Sequence, residues 1–120
     1  MPDKDRHIKA AIVNEDFGNF IFEQDSFKNW AVVGYFYSGL HWIDAYLATK
    51  GMHPNRHEDR ESWIGREANL RAIYAYYQML KSESRNVRYE LVAIPDAKIN
   101  TIKEDILGDI KEHIKKLIGF

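Results

Sequence analysis

The segment SRNVRYE, residues 84–90, places two arginines next to a tyrosine and an acid. A guanidinium group forms paired hydrogen bonds with phosphate oxygens, and an aromatic ring stacks on a nucleic-acid base. We therefore expect Arg85, Arg88 and Tyr89 to contact RNA. A second interpretation stays open, in which both arginines pair with acidic side chains of neighbouring helices and only hold the segment in place.

A second group of polar side chains lies around the sequence GMHPNRHEDR at residues 51–60 and consists of His41, Asp44, His57 and Arg60. Counting back from a turn at this sequence, with a rise of about 1.5 Å per residue, places Asp44 level with Arg60. The same count brings His7 and His113 to this end of the protein. We expect an Asp44–Arg60 ion pair beside a capped turn. The functional alternative is a pocket for a nucleotide or another small ligand.

On one straight helix, Arg60 and Arg85 would lie roughly 37 Å apart at about 1.5 Å per residue. We therefore expect the two polar groups to form separate sites. No metal or cofactor is expected, because the chain has neither an HExxH motif nor a pair of ExxH motifs. The sequence also contains no cysteine, which excludes thiolate ligands.

Four amphipathic helices are predicted to position these side chains. Their limits are about Lys4 to Gln24, from after Ser26 to about Lys50, from Asn55 to about Lys81, and from Pro95 toward the C terminus. Short connections between such helices indicate one all-α domain over residues 1–120, an up-down-up-down antiparallel four-helix bundle. The sequence SESRNVRYE adds a short extra helical segment between helices 3 and 4.

Local signals predict the helix ends and the faces that point to the core. Ser26 and Asn55 are candidate N-caps, Glu58 completes a capping box with Asn55, and Gly51 suits a left-handed C-cap. Apolar residues that recur every three or four positions are expected to face inward. They are Ile8, Ile12, Phe17, Phe20 and Ile21 in helix 1, Leu70, Ile73, Tyr74, Tyr77 and Leu80 in helix 3, and Ile99, Ile102, Ile106, Ile110, Ile114 and Leu117 in helix 4.

The second predicted helix is apolar on more than one side. It carries a stripe of small residues, Gly34, Ser38, Ala45 and Ala48, and an aromatic stripe, Tyr35, Trp42 and Tyr46. Such a helix lies at the centre of a bundle or under a second subunit, so we expect a homodimer. Residues 30–48 are long enough to cross a bilayer, but His41 and Asp44 within them argue against a membrane span.

The composition indicates a globular cytoplasmic protein. The chain has 120 residues, of which 45% are hydrophobic and 29% charged, as in ordinary single domains. The N-terminal sequence MPDKDRHIKA lacks the apolar core of a secretory signal. The formal charge of −1 provides no overall attraction to nucleic acid, so RNA affinity would require a local basic patch.

The sequence resembles the HEPN superfamily of small all-helical prokaryotic domains. The resemblance covers most of residues 30–90 and lies in FYSGLHWIDAYLATKGMHPNRHEDR and YQMLKSESRNVRY. It implies a four-helix bundle that commonly dimerises and that, in many members, binds RNA or cuts it without a metal ion. Other members are partners of nucleotidyltransferases or have no known activity.

The HEPN nuclease motif is incomplete in this chain. The nuclease members carry an arginine followed, after four to six intervening residues, by a histidine. Arg85 and Asn86 match the start of the motif, whereas Glu90 stands where the histidine is expected. These three residues are the candidate catalytic residues. A glutamate is a poor acid at pH 7 and its charge repels phosphate, so we expect a weak or inactive endoribonuclease that still binds RNA.

The sequence is compatible with three classes of function. The first is metal-independent RNA binding or cleavage through residues 85–90 of a dimer. The second is a noncatalytic module that binds a nucleotidyltransferase or a member of a toxin–antitoxin pair, with the aromatic stripe of Tyr35, Trp42 and Tyr46 left uncovered as its docking surface. The third is a small-ligand pocket among His41, Asp44, His57 and Arg60.

Overall fold

The computed structural model describes residues 3–90 and 93–120, and within these ranges the chain is all-α, as predicted. The α-helices are α1 (Lys4–Phe22), α2 (Ala31–Thr49), α3 (His57–Arg66), α4 (Tyr74–Arg85), α5 (Asp96–Thr101) and α6 (Gly108–Ile118). Short 3₁₀ segments, Lys28–Trp30 and Ala68–Ile73, lead into α2 and α4. The described residues also include two π-helical segments: Asn86–Glu90 extends α4, and Ile102–Leu107 joins α5 to α6.

Helix α2 lies at the centre of the molecule and contacts α1, α4 and α6. Its aromatic stripe is part of the core, since Tyr35, Trp42 and Tyr46 are 1%, 1% and 2% exposed. The prediction that this stripe is left uncovered as a docking surface is therefore wrong, because helices of the same chain cover α2 on several sides. Among the described helices, none has both the length and the apolar character needed to cross a membrane.

Helices α1 and α2 approach each other closely at two glycines. A Cβ atom at Gly34 would lie 2.8 Å from the carbonyl oxygen of Asn14 and 3.0 Å from the amide nitrogen of Gly18. A Cβ atom at Gly18 would lie 2.6 Å from the ring of Tyr35. The close approach of α1 and α2 therefore depends on the absence of side chains at Gly18 and at Gly34, which belongs to the stripe of small residues.

The face of α1 that packs against the core differs in part from the face predicted for helix 1. The buried residues of α1 are His7, Ile8, Ala11 and Gly18. In contrast, Ile12, Phe17 and Phe20 are 43%, 46% and 64% exposed. The prediction that these three side chains face the core is wrong, because the face that meets α2 is the one with small residues.

The helix starts also differ from two of the predicted caps. Helix α2 begins at Ala31, after Trp30 and well beyond Ser26, and α3 begins at His57 with Arg56 in the N-cap position. Arg56 makes no side-chain cap hydrogen bond, so the capping box of Asn55 and Glu58 is not formed. The prediction for Gly51 is confirmed, since its φ of +73° is left-handed.

The third predicted helix is interrupted rather than continuous. Glu67 has extended backbone angles, φ −84° and ψ 110°, and separates α3 from the 3₁₀ segment and α4. The apolar face predicted for this region is otherwise confirmed, with Leu70, Ile73, Tyr77 and Leu80 buried and Tyr74 at 36% exposure. The fourth predicted helix is continuous over residues 96–118 and buries the isoleucines that the sequence indicates.

Candidate functional site

The interruption at Glu67 lets the chain reverse direction between α3 and α4. Glu61 on α3 accepts a hydrogen bond from Gln78 Nε2 at 2.9 Å and one from Lys81 Nζ at 2.8 Å, both on α4. The middle of α3 therefore lies beside the middle and second half of α4.

A cavity of about 400 Å³ opens where these two helices meet α2, and we refer to it as the basic cavity. Its lining residues are Phe36, His57, Lys81, Arg85, Arg88 and Tyr89. The prediction that the two polar groups form separate sites is wrong for His57, which shares this cavity with Arg85 and Arg88. The estimate of roughly 37 Å assumed one straight helix at about 1.5 Å per residue, and the extended backbone at Glu67 breaks that helix.

The two arginines of the basic cavity are available to a ligand. Neither Arg85 nor Arg88 forms an ion pair with a carboxylate of the described residues. Arg88 donates from Nε to the carbonyl oxygen of Ser84 at 3.3 Å, and its guanidinium lies 5.2 Å from the centre of the Tyr89 ring. Tyr89 is 68% exposed. Within the described part of the chain, the two arginines thus do not hold this segment in place through ion pairs with acidic side chains.

The other two residues of the incomplete motif lie outside the wall of the basic cavity. Asn86 is half-buried and Glu90 is exposed, and neither lines the cavity. Their catalytic roles stay predictions that no contact in the described structure supports.

The ion pair predicted between Asp44 and Arg60 is present and buried. Arg60 donates from Nε to Asp44 Oδ1 at 2.7 Å and from Nη2 to Oδ2 at 2.9 Å. The two side chains are 4% and 8% exposed. This two-bond geometry holds the guanidinium in one orientation and connects α3 to the centre of α2.

Arg60 also determines which nitrogen of His57 carries a proton. The Nη1 atom of Arg60 lies 3.4 Å from His57 Nδ1. Because an arginine only donates hydrogen bonds, this contact requires a lone pair on Nδ1 and leaves the proton of a neutral ring on Nε2. Burial lowers the pKa of His57, and the charges of Arg60, Lys81 and Arg88 lower it further against the opposing effect of Glu61. At pH 7 His57 is therefore a neutral donor through Nε2.

The remaining histidines divide between two places. His7 Nδ1 lies 3.1 Å from His41 Nδ1, so that His7, His41 and Asp44 meet between α1 and α2. His113 does not join them, because its Nε2 lies 2.6 Å from the carbonyl oxygen of Asn69. The predicted gathering at one end of the molecule thus includes His7 and omits His113.

Sequence analysis did not select Lys81 or Phe36 as site residues. Lys81 lies four residues before Arg85 and seven before Arg88, which is the spacing of one helix face and was available as a signal. Phe36 belongs to the central helix α2. Its position in an apolar stretch predicts burial and gives no sign that its ring lines a cavity. Comparison of the chain with protein-family models, with curated proteins and with solved structures finds no match.

Proposed function

We propose that this chain is a HEPN-like protein whose four-helix bundle binds single-stranded RNA in the basic cavity. The proposal is supported above all by the convergence of Lys81, Arg85 and Arg88 with one imidazole and one exposed tyrosine around a single cavity. It also rests on the resemblance of residues 30–90 to that superfamily. The net charge of the chain is −1, so the attraction to RNA would be local.

Each side chain of the basic cavity has a role in this proposal. Arg85 and Arg88 bind phosphate oxygens, since their guanidinium groups lack a carboxylate partner among the described residues. Tyr89 is exposed and stacks on a base, a contact worth about 1–3 kcal/mol per base. Lys81 contributes positive charge while it stays paired with Glu61.

The position of the proton on the neutral ring of His57 favours RNA binding over RNA cleavage. A general base that activates a 2′-hydroxyl needs a free lone pair on the nitrogen that faces the substrate. The contact with Arg60 engages the Nδ1 lone pair of His57 and leaves a proton on Nε2. His57 is then suited to donate a hydrogen bond to a phosphate oxygen. The chain is in this view a binding protein with an incomplete nuclease motif.

A binding assay with a fluorescent single-stranded RNA tests the proposal. We expect the double substitution Arg85→Ala with Arg88→Ala to weaken binding at low salt. The slope of log affinity against log salt concentration should also become shallower by about 1.4, because each phosphate contact to a single strand contributes about 0.7. The same RNA incubated with EDTA and resolved on a gel should remain intact.

The matched control removes two positive charges from exposed positions away from the basic cavity, by Arg66→Ala with Arg71→Ala. This control should retain the wild-type salt slope. If wild-type protein does not bind RNA, or if both double variants lose affinity equally, the basic cavity is not an RNA site. Cleavage that depends on Arg85 would instead show that an active nuclease is retained.

We also propose that the protein forms a homodimer, through an exposed apolar face of α1. This α1 apolar face consists of Val13, Phe17 and Phe20, which are 56%, 46% and 64% exposed and follow one helix face at intervals of four and three residues. Exposed aromatic residues that adjoin one another mark interaction sites on protein surfaces. The same observation favours the second candidate function, a module that docks on a nucleotidyltransferase or a toxin–antitoxin partner.

A further inference from the structure

Three potential metal ligands converge at a position that is separate from the basic cavity. His7 extends from α1, and His41 and Asp44 extend from α2. Their ligand atoms all lie within 4.8 Å of one another, and we refer to these three residues as the histidine cluster. His7 and Asp44 are buried, at 8% and 3% exposure.

The imidazole rings of His7 and His41 face each other with their Nδ1 atoms. The Nδ1 atoms of His7 and His41 are 3.1 Å apart, and the ring centres are 5.3 Å apart. Two nitrogens bound to one tetrahedral metal ion at about 2.0–2.1 Å lie roughly 3.4 Å from each other. The observed spacing is therefore close to that of two ligands sharing an ion.

The carboxylate of the histidine cluster is held in place by a second contact. Both oxygens of Asp44 accept hydrogen bonds from Arg60, at 2.7 and 2.9 Å. Each carboxylate oxygen has two lone pairs, so one remains on each oxygen for a metal ion. Ligands of metal ions are commonly oriented by such outer hydrogen bonds.

One more histidine carries a buried ring nitrogen but is not part of the histidine cluster. The Nδ1 atom of His53, in the loop between α2 and α3, is buried and has no hydrogen-bond partner among the described residues. His53 does not belong to the group of ligand atoms that lie within 4.8 Å of one another, so the histidine cluster offers three protein ligands.

From this geometry we infer that His7, His41 and Asp44 bind one divalent transition-metal ion such as Zn²⁺. Imidazole nitrogens combined with one carboxylate suit zinc and the neighbouring transition metals better than Mg²⁺ or Ca²⁺. The ligands come from α1 and α2, so the ion links these two helices. The expectation of no metal site rested on the absence of a contiguous motif, whereas these ligands are distant in sequence.

Zinc titration of metal-stripped protein tests this inference. Protein treated with EDTA and then freed of it should bind one equivalent of ZnCl₂ in a calorimeter. His41→Gln and His7→Gln should each lower the zinc affinity by at least about 100-fold, because each removes a direct ligand. His113→Gln is the matched control and should bind zinc as the wild type does, since His113 contacts Asn69 instead.

A spectroscopic measurement reports directly on the ligands of the bound metal ion. Added Co²⁺ should produce the visible absorption bands of a cobalt ion bound by nitrogen and oxygen ligands in the wild type and in His113→Gln. The bands should be absent from His41→Gln. The inference is overturned if the wild type binds no zinc at micromolar concentrations, or if His41→Gln and His7→Gln bind zinc and cobalt as the wild type does.

Discussion

His57 connects the charge of the basic cavity to pH. The pKa of its ring is lowered by burial and then by Arg60, Lys81 and Arg88, so the ring is neutral at pH 7 in the free protein. A phosphate bound beside the ring raises the pKa again, because an opposite charge favours the protonated form. If RNA binds here as proposed, His57 Nδ1 takes up a proton and gives up its contact with Arg60 Nη1, so that binding is accompanied by proton uptake.

We therefore expect the RNA affinity to increase as the pH falls from 7.5 toward 6, by up to about tenfold per pH unit. Titrations of labelled RNA at several pH values measure this dependence. His57→Gln should make the affinity nearly independent of pH over this range, and His113→Gln should leave the dependence unchanged. A pH dependence that persists in His57→Gln would assign the proton to another group.

Among the ion pairs of the described residues, the buried pair of Asp44 and Arg60 should be the most sensitive to substitution. Asp44→Ala leaves the guanidinium of Arg60 buried without its carboxylate, so we expect unfolding to become easier by about 3–5 kcal/mol. Urea unfolding of metal-free protein measures this change. Glu112→Ala removes an exposed partner of Lys115 and should cost less than about 1 kcal/mol. Equal effects of the two substitutions would contradict the central role of the buried pair.

At the scale of helices, the contact between α1 and α2 depends on the absence of a side chain at Gly34. Gly34→Ala places a methyl group against backbone atoms of Asn14 and Gly18, which side-chain rotation cannot relieve. We expect a loss of about 1–3 kcal/mol in the free energy of unfolding. Thermal or urea unfolding provides the comparison.

Gly65→Ala is the control for this substitution, because a Cβ atom at Gly65 meets nothing within 4 Å. It should leave stability unchanged or raise it by up to about 1 kcal/mol, since alanine restricts the unfolded chain. A Gly34→Ala protein as stable as Gly65→Ala would mean that α1 and α2 separate at little cost.

The sequence predicts the helical elements better than the joints between them. Burial in the core requires apolar residues at regular positions of a helix. The spacing of the isoleucines from Ile99 to Ile114 and the continuous apolar stretch of α2 therefore predict these helices correctly. The extended backbone at Glu67 leaves no such trace, because the apolar residues before and after it still face the core. Glu67 and Asn69 instead contact the hydroxyl of Tyr46, at 3.4 and 3.1 Å. Tertiary contacts of this kind cannot be deduced from periodicity.

The site residues were likewise predicted correctly where they depend on local sequence and wrongly where they depend on the path of the chain between helices. The Asp44–Arg60 pair follows from counting across a short turn, where an error of one residue changes little. The shared cavity of His57 and Arg85 requires the chain to reverse at Glu67, so a straight helix places these two residues far apart. Arg85 and Arg88 were predicted from their residue types, whereas Lys81 required knowledge of which helix face lines the cavity.

For the molecule as a whole, the α1 apolar face is the surface expected to bind a second copy. Phe17→Lys with Phe20→Lys introduces repelling charges on this face and should shift the sedimentation coefficient from that of a dimer to that of a monomer. Met79→Lys alters an exposed apolar residue on α4, at 47% exposure, and should leave the dimer intact. A wild-type protein that sediments as a monomer would contradict the homodimer and would favour a different protein as the partner of this face.

The reversal of the chain at Glu67 also determines when the basic cavity exists. Its wall combines Phe36 of α2, His57 of α3 and residues of α4 with its π-helical extension, so it is complete only while α3 stays docked. A ligand that needs all three parts binds the docked state alone and lowers the population in which α3 is detached. In hydrogen–deuterium exchange, RNA should therefore slow the exchange of the amide protons of α3, whereas those of α6, which contributes no part of the wall, should exchange as before.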